Sequence, residues 1–261
     1  METNNNILKL TAKEVEKLSE NILNNASDNY WDRLSSVKGL SEDFIRKFAD
    51  KVNWKCISKY QKLSEDFIKE FADIVDWECI SIYQTLSENF IREFQNKVNW
   101  YWISKYQKLS EEFIIEFKYK VDWINISRSQ RLSEDFIRDF KDRVNWSSVS
   151  QFQTLSEDFI REFKDKVNFY CVSICNKKLS EDFIREFQNK VNWYWISEYQ
   201  TLSEDFIREF KDRVNWVLIS KYQTLSEDFI REFEDEVYWL YISEYQTLSE
   251  EFCKEFADRL K

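Results

Sequence analysis

A period of 23 residues constrains this chain more than any other feature. The tripeptide Leu-Ser-Glu recurs at Leu40, Leu63, Leu86, Leu109, Leu132, Leu155, Leu179, Leu202, Leu225 and Leu248, always at intervals of 23 residues except for one of 24 between Leu155 and Leu179. Nine full units run from Leu40 to Thr247, and a half unit, 248–261, follows. A length of 261 residues by itself suggests two domains, but an unbroken repeat overrides that expectation and predicts one continuous solenoid. Its parts are a divergent N-terminal cap (1–39), nine tandem repeats (40–247) and a C-terminal capping helix (248–261).

The unit LSEDFIREFKDRVNWVLISKYQT, from Leu202, shows what each repeat builds. Leu202, Phe206, Phe210 and Val214 are four apart and Ile207 widens the stripe, the spacing of one apolar helix face. This predicts a helix A from Glu204 to about Arg213. Ser203 stands at its N-cap, with Glu204 and Asp205 at the positive end of the helix dipole. Glu204 with Arg208, and Glu209 with Arg213, are placed for i,i+4 ion pairs on a solvated face. Asn215 is a residue that ends one helix and caps the next. Trp216, Ile219 and either Tyr222 or Gln223 then predict a helix B of about two turns. The competing reading is a strand, since Val-Asn-Trp-Val-Leu-Ile is rich in strand formers, but strict alternation requires an apolar residue at Ser220 rather than Ile219. The predicted fold is therefore all-α, a superhelical αα-hairpin solenoid in which each unit completes its core against its neighbours. In the N-terminal cap Leu10, Val15, Leu18 and Ile22 imitate the helix A stripe, Trp31 and Leu34 imitate helix B, and a loop at Asn24–Asn29 separates them. In the C-terminal cap Phe252, Phe256 and Leu260 face inward while Asp258, Arg259 and Lys261 face water.

Composition removes many functional classes. With 48 acidic and 38 basic side chains the net charge is −10, which opposes nucleic-acid binding. The absence of histidine removes the commonest general base and metal ligand, and a single glycine, Gly39, cannot build a phosphate-cradling loop. No constellation pairs a nucleophile with a base, so no enzyme, cofactor or metal is expected. The abundant carboxylates lie beside basic neighbours, where ordinary pKa values are expected. Cys56, Cys79, Cys171, Cys175 and Cys253 lack disulfide or zinc-site spacing. The asparagine-rich N-terminus resembles no secretory signal and no apolar run is long enough to span a membrane, so an intracellular location is expected.

The recurring LSEDFIREF followed by VNW, two variable residues and IS resembles tandem repeats in uncharacterised proteins of the large DNA viruses that infect amoebae. The likeness covers Leu40 to Lys261. It implies a viral protein made in the host cytoplasm and supplies no catalytic residues. The chain departs from the repeat at Phe169 in the tryptophan place, at Ser129 in the tyrosine place, and within Ser173–Lys178, where an extra residue should kink the stack.

Positions that vary while their surroundings repeat are the candidates for function. The tryptophans Trp54, Trp77, Trp100, Trp123, Trp146, Trp193, Trp216 and Trp239 share one place and are expected in the core rather than as a stacking ladder for ligands. The repeated serines are expected as caps and small packing residues. The two residues after the tryptophan vary, and the first of them stands one turn from a further variable place. The predicted binding stripe comprises Tyr101, Trp102, Tyr194, Trp195, Val217, Leu240 and Tyr241 with Lys105, Glu198 and Lys221, large side chains of the kinds that dominate binding hot spots, together with charges. A protein or peptide is the expected partner, with self-association as the alternative and no nucleic acid or membrane.

Overall fold

The structure, a computed structural model, describes residues 10–176 and 178–260; Lys261 of the expected cap surface and Lys177 of the irregular segment lie outside them. Among the described residues there are 22 helices and no strand. The chain forms an αα-hairpin repeat solenoid of about nine units, divided into two compact units, the first ending at Gln130 and the second beginning at Arg131. Within each of them, neighbouring helices B pack closely in sequence.

Helix A is shorter than its apolar stripe. In the repeat from Leu202 it spans Glu204–Glu209, capped by the Ser203 hydroxyl, which accepts from the Phe206 N–H at 3.2 Å. The backbone leaves helical geometry at Phe210, yet the N–H groups of Arg213 and Val214 both donate to the Phe210 carbonyl, at 2.9 and 3.1 Å. One further loose turn thus keeps Val214 in the core with Leu202, Phe206, Ile207 and Phe210. Trp216 holds that turn: its Nε1 donates to the Lys211 carbonyl at 3.1 Å while its ring lies against Phe229 and Phe233 of the next repeat. Helix B then runs Trp216–Tyr222, with the Asn215 side chain accepting from the Leu218 N–H.

Within each compact unit, glutamines, most of them buried, join neighbouring repeats. Gln84 Oε1 accepts from the Leu63 N–H at 3.0 Å, and Nε2 donates to the carbonyls of Ser58 and Gln61 at 2.9 and 2.8 Å. Those carbonyls belong to the end of the preceding helix B, Trp54–Tyr60, where no backbone partner remains. Gln107, Gln130 and, in the second compact unit, Gln223 and Gln246 repeat the arrangement. Serine adds a second link, for Ser58 Oγ accepts from the Asp76 N–H at 3.0 Å. Glutamate adds a third: Glu204 Oε1 accepts from the Ser226 N–H, 2.6 Å away, so the first residue of one helix A satisfies the cap residue of the next.

The charged face of helix A is likewise organised between repeats. Arg208 meets Glu204 at 3.7 Å as its spacing predicts, and reaches Glu232 of the next repeat at 2.7 Å. Glu209 is held by Arg185 of the preceding repeat at 2.8 Å, so the expected Glu209–Arg213 pair does not form. Arg213 turns back instead to the Gln188 carbonyl at 2.9 Å. Half-exposed pairs of this kind contribute a few tenths of a kcal/mol each.

The N-terminal cap differs from its sequence reading in two details. It holds helices at Ala12–Glu16, Glu20–Asn24 and Asp28–Ser35, so the connection before the third is shorter than the expected Asn24–Asn29 loop. Val15, Trp31 and Leu34 are buried as expected, but Leu23 takes the inward place and Ile22 is 52% exposed. The expected single stripe is broken between helices Ala12–Glu16 and Glu20–Asn24, and the second helix, capped by Ser19, turns Leu23 rather than Ile22 inward. Gly39 adopts φ +93, a left-handed conformation that suits glycine, and thereby aims its N–H at Gln61 Oε1. In the C-terminal half repeat Phe252 is fully buried, Phe256 and Leu260 are half-buried, and Asp258 and Arg259 face solvent.

Candidate binding face

The nine positions that follow the tryptophan place, from Lys55 to Leu240, are all exposed. Tyr101 and Tyr194 are each 47% exposed and Leu240 is 56% exposed; Val217 is exposed as well. The second variable position is half-buried or buried. Trp102, Trp195 and Tyr241 are half-buried, while Cys79, Asn125, Ser148 and Leu218 are buried. The outward direction therefore belongs to one member of each pair. The other wedges between neighbouring helices B.

In the first compact unit Tyr101, Trp102 and Lys105 come together. Trp102 stacks on Tyr106 with centroids 5.7 Å apart, meets the edge of Tyr101 at 4.6 Å and donates from Nε1 to Glu78 of the preceding repeat at 3.2 Å. Lys105 Nζ lies 5.3 Å from the Trp102 ring and 5.1 Å from that of Tyr106. In the second compact unit Trp195 stacks on Tyr199 at 5.6 Å and meets the edges of Tyr194 and Tyr170. Glu198 is half-buried on the same helix, and burial with that neighbouring charge pushes the Tyr199 phenol up. Lys221 lies over Tyr222, Tyr241 and Tyr245, at 5.0, 5.3 and 5.5 Å. Val217 and Leu240 stand beside these clusters without a ring partner of their own.

A row of tyrosines completes the face, and the sequence reading left it open. Of Tyr222 and Gln223, offered as alternatives for the core, Gln223 is buried and Tyr222 is 48% exposed. Tyr83, Tyr106, Tyr199 and Tyr245 are exposed in the same place, with Phe152 and Ser129 as variants. The signal was present: at about 100° per residue, the seventh position after tryptophan returns to the tryptophan face and the sixth points away. The tryptophans themselves are half-buried and hydrogen-bonded to carbonyls at Trp54, Trp77 and Trp100, as core residues rather than a free stacking ladder. Phe169 keeps the ring contact, at 5.0 Å from Phe187.

The thiols and carboxylates take other environments. Burial raises Cys79 to about 11 and also pushes up Cys171 and Cys175, so these thiols are held away from the reactive thiolate. Hydrogen bonds pull Glu227 and Glu14 below the ordinary carboxylate range, and Lys97 does the same for Asp73. No group of three or more Cys, Asp or Glu side chains suited to a metal is found among the described residues, and no helix there is long and apolar enough to cross a membrane. No protein-family model matches the chain, and no curated protein or solved structure is significantly similar to it.

Proposed function

We propose that the protein is a non-enzymatic repeat scaffold that binds a protein or peptide along the outer face of its helices B. One observation carries this reading. The recurring glutamine, serine, tryptophan, glutamate and arginine side chains are engaged inside the stack, whereas the first residue of each variable pair and most of the tyrosine row beside it face solvent. Exposed aromatic rings with few rotatable bonds suit recognition, because ordering them on binding costs little entropy. The resemblance to repeat proteins of giant viruses supports a place in the host cytoplasm, in virus–host interaction or viral assembly.

The test compares the protein with a triple variant, Tyr101→Ser, Tyr194→Ser and Leu240→Ser, as bait in host-cell extract. These three side chains are exposed, so circular dichroism should report unchanged folding. Partners retained by the parent should be lost by the variant. Equal recovery places recognition elsewhere, and recovery of the protein alone, with concentration-dependent sedimentation, favours self-association.

A further inference from the structure

We propose that the helix B face between Lys38 and Arg128 takes an extended acidic peptide that also carries apolar residues; this rests on the helix B reading above and names the partner's chemistry. The protein as a whole is acidic, but this face is not. Its four helices B, Trp54–Tyr60, Trp77–Tyr83, Trp100–Tyr106 and Trp123–Ser129, carry Lys55, Lys59, Lys105 and Arg128 against a single acid, Glu78. Lys62 and Lys108 add to it just beyond two of those helices.

Pairing separates the lysines of this face from the cations of helix A. On the helix A side Arg46 is matched by Glu70, Lys69 by Glu93, Arg92 by Glu116 and Lys97 by Asp73. Lys38, Lys55, Lys59, Lys62, Lys105 and Lys108 have no described carboxylate within ion-pair reach. Lys38, Lys59 and Lys62 converge on one groove of about 500 Å³, walled by Tyr60 and Tyr83. Lys59 Nζ lies 4.9 Å from the Tyr60 ring and 5.6 Å from the Tyr83 ring, so the ammonium is poised over aromatic surface at the groove wall. Unpaired positive charge, gathered on one face of an otherwise acidic molecule, attracts a negative partner and sets its orientation.

The spacing of the cations selects the kind of partner. Along the row that contains Lys59, the next repeats supply Ile82, Lys105 and Arg128; along that of Lys62, they supply Thr85 and Lys108. Charge is thus interspersed with uncharged side chains, Ile82 and Thr85, and interleaved with the tyrosines. Nucleic acid presents a phosphate at every step and would be best matched by a cation on every repeat, while the net charge of −10 repels it at long range. A peptide can place carboxylates opposite the lysines and apolar side chains opposite Ile82 and the tyrosine rings. With helices about 8 to 10 Å apart, the four helices B span roughly 27 Å, which about eight extended residues would cover.

The experiment uses the full chain as bait for a bead-displayed library of random twelve-residue peptides, alongside a triple variant, Lys59→Glu, Lys62→Glu and Lys105→Glu. The altered lysines are at the surface, and a thermal melt checks that the variant folds like the parent. The expected result is enrichment of peptides that combine Asp or Glu with apolar residues, whose affinity falls at least tenfold in the variant and also falls with added salt. Lys254→Glu, exposed on the helix A side of the C-terminal half repeat, should leave their affinity unchanged. Enriched peptides without acidic residues, or affinities indifferent to the lysine changes, overturn the proposal. If such peptides are instead lost from the Tyr101, Tyr194 and Leu240 variant, the helix B reading survives while the acidic partner does not. Absence of any enrichment overturns the inference, and the capture experiment then decides the broader reading by itself. Tighter binding of a single-stranded oligonucleotide than of any selected peptide assigns the face to nucleic acid.

Discussion

At the scale of single residues, the glutamine place concentrates the most consequence. Gln107 meets one N–H and two carbonyls with one buried amide, so Gln107→Leu removes three hydrogen bonds and leaves their backbone partners dry. Each stranded group costs roughly 1 to 3 kcal/mol. The variant should therefore lose about 3 kcal/mol or more of unfolding free energy in urea, whereas a loss below 1 kcal/mol would mean that water replaces the amide. Asn125 is the opposite case. It is buried, its Nδ2 has no partner, and the equivalent place in another repeat holds the buried Leu218. Asn125→Leu should stabilise the protein by about 1 kcal/mol, read as a higher melting temperature.

At the scale of the helix, capping explains how six- and seven-residue segments persist without glycine or proline between them. Such helices are too short to be stable in isolation, and here each start is fixed by a side chain. Helix Trp239–Tyr245 is an exception, because Tyr238 occupies the cap and offers no side-chain hydrogen bond. Tyr238→Asn should restore the bond that Asn215 makes one repeat earlier and add about 1 kcal/mol; a thermal melt with no gain would show that the Tyr238–Tyr241 ring contact is worth as much as the cap. The helical stripe Leu202, Phe206, Ile207, Phe210 and Val214 was legible because burial follows angle around the axis. The end of helix A was not, because Phe210 and Val214 keep that angle while the backbone between them loosens into a turn closed by Trp216. Ile22 misled for a related reason: the stripe reads as one helix, whereas the chain breaks before Ser19 and the new helix turns Leu23 inward. The binding stripe was half legible. Variation marked the right pair of positions, but only packing between neighbouring helices decides that Tyr101 points out while Trp102 turns in.

Across the whole molecule, ionised carboxylates connect one repeat to the next, and this sets a dependence on pH. Glu227, accepting from Ser249, and Glu14, Glu20 and Asp73, paired with Thr11, Lys47 and Lys97, all have lowered pKa values. A carboxylate held lower in the folded state contributes stability that is present above its unfolded value and is lost as pH falls through the folded one. The arginines Arg185, Arg208 and Arg231 are raised by their glutamate partners, so their share does not fade as pH rises until the guanidinium range, and it requires an ionised carboxylate opposite. Urea unfolding should accordingly change little from pH 8 to 6 and weaken as the pH falls below about 4.5, the ordinary glutamate value. A stability that is flat to pH 3 would show that these contacts are neutral in sum.

The glutamine bonds also bear on how such a chain can change its length. Most of these glutamines address backbone atoms at fixed offsets of 21, 23 and 26 residues, and those atoms are present in every repeat whatever its variable side chains. Recombination that duplicates or deletes one whole repeat hands each amide the same three partners it had before. Copy number is thus free to drift while the fold is kept, whereas a gain of one residue is not neutral. The single 24-residue interval coincides with Asn176 in the glutamine place, and its buried Nδ2 has no partner.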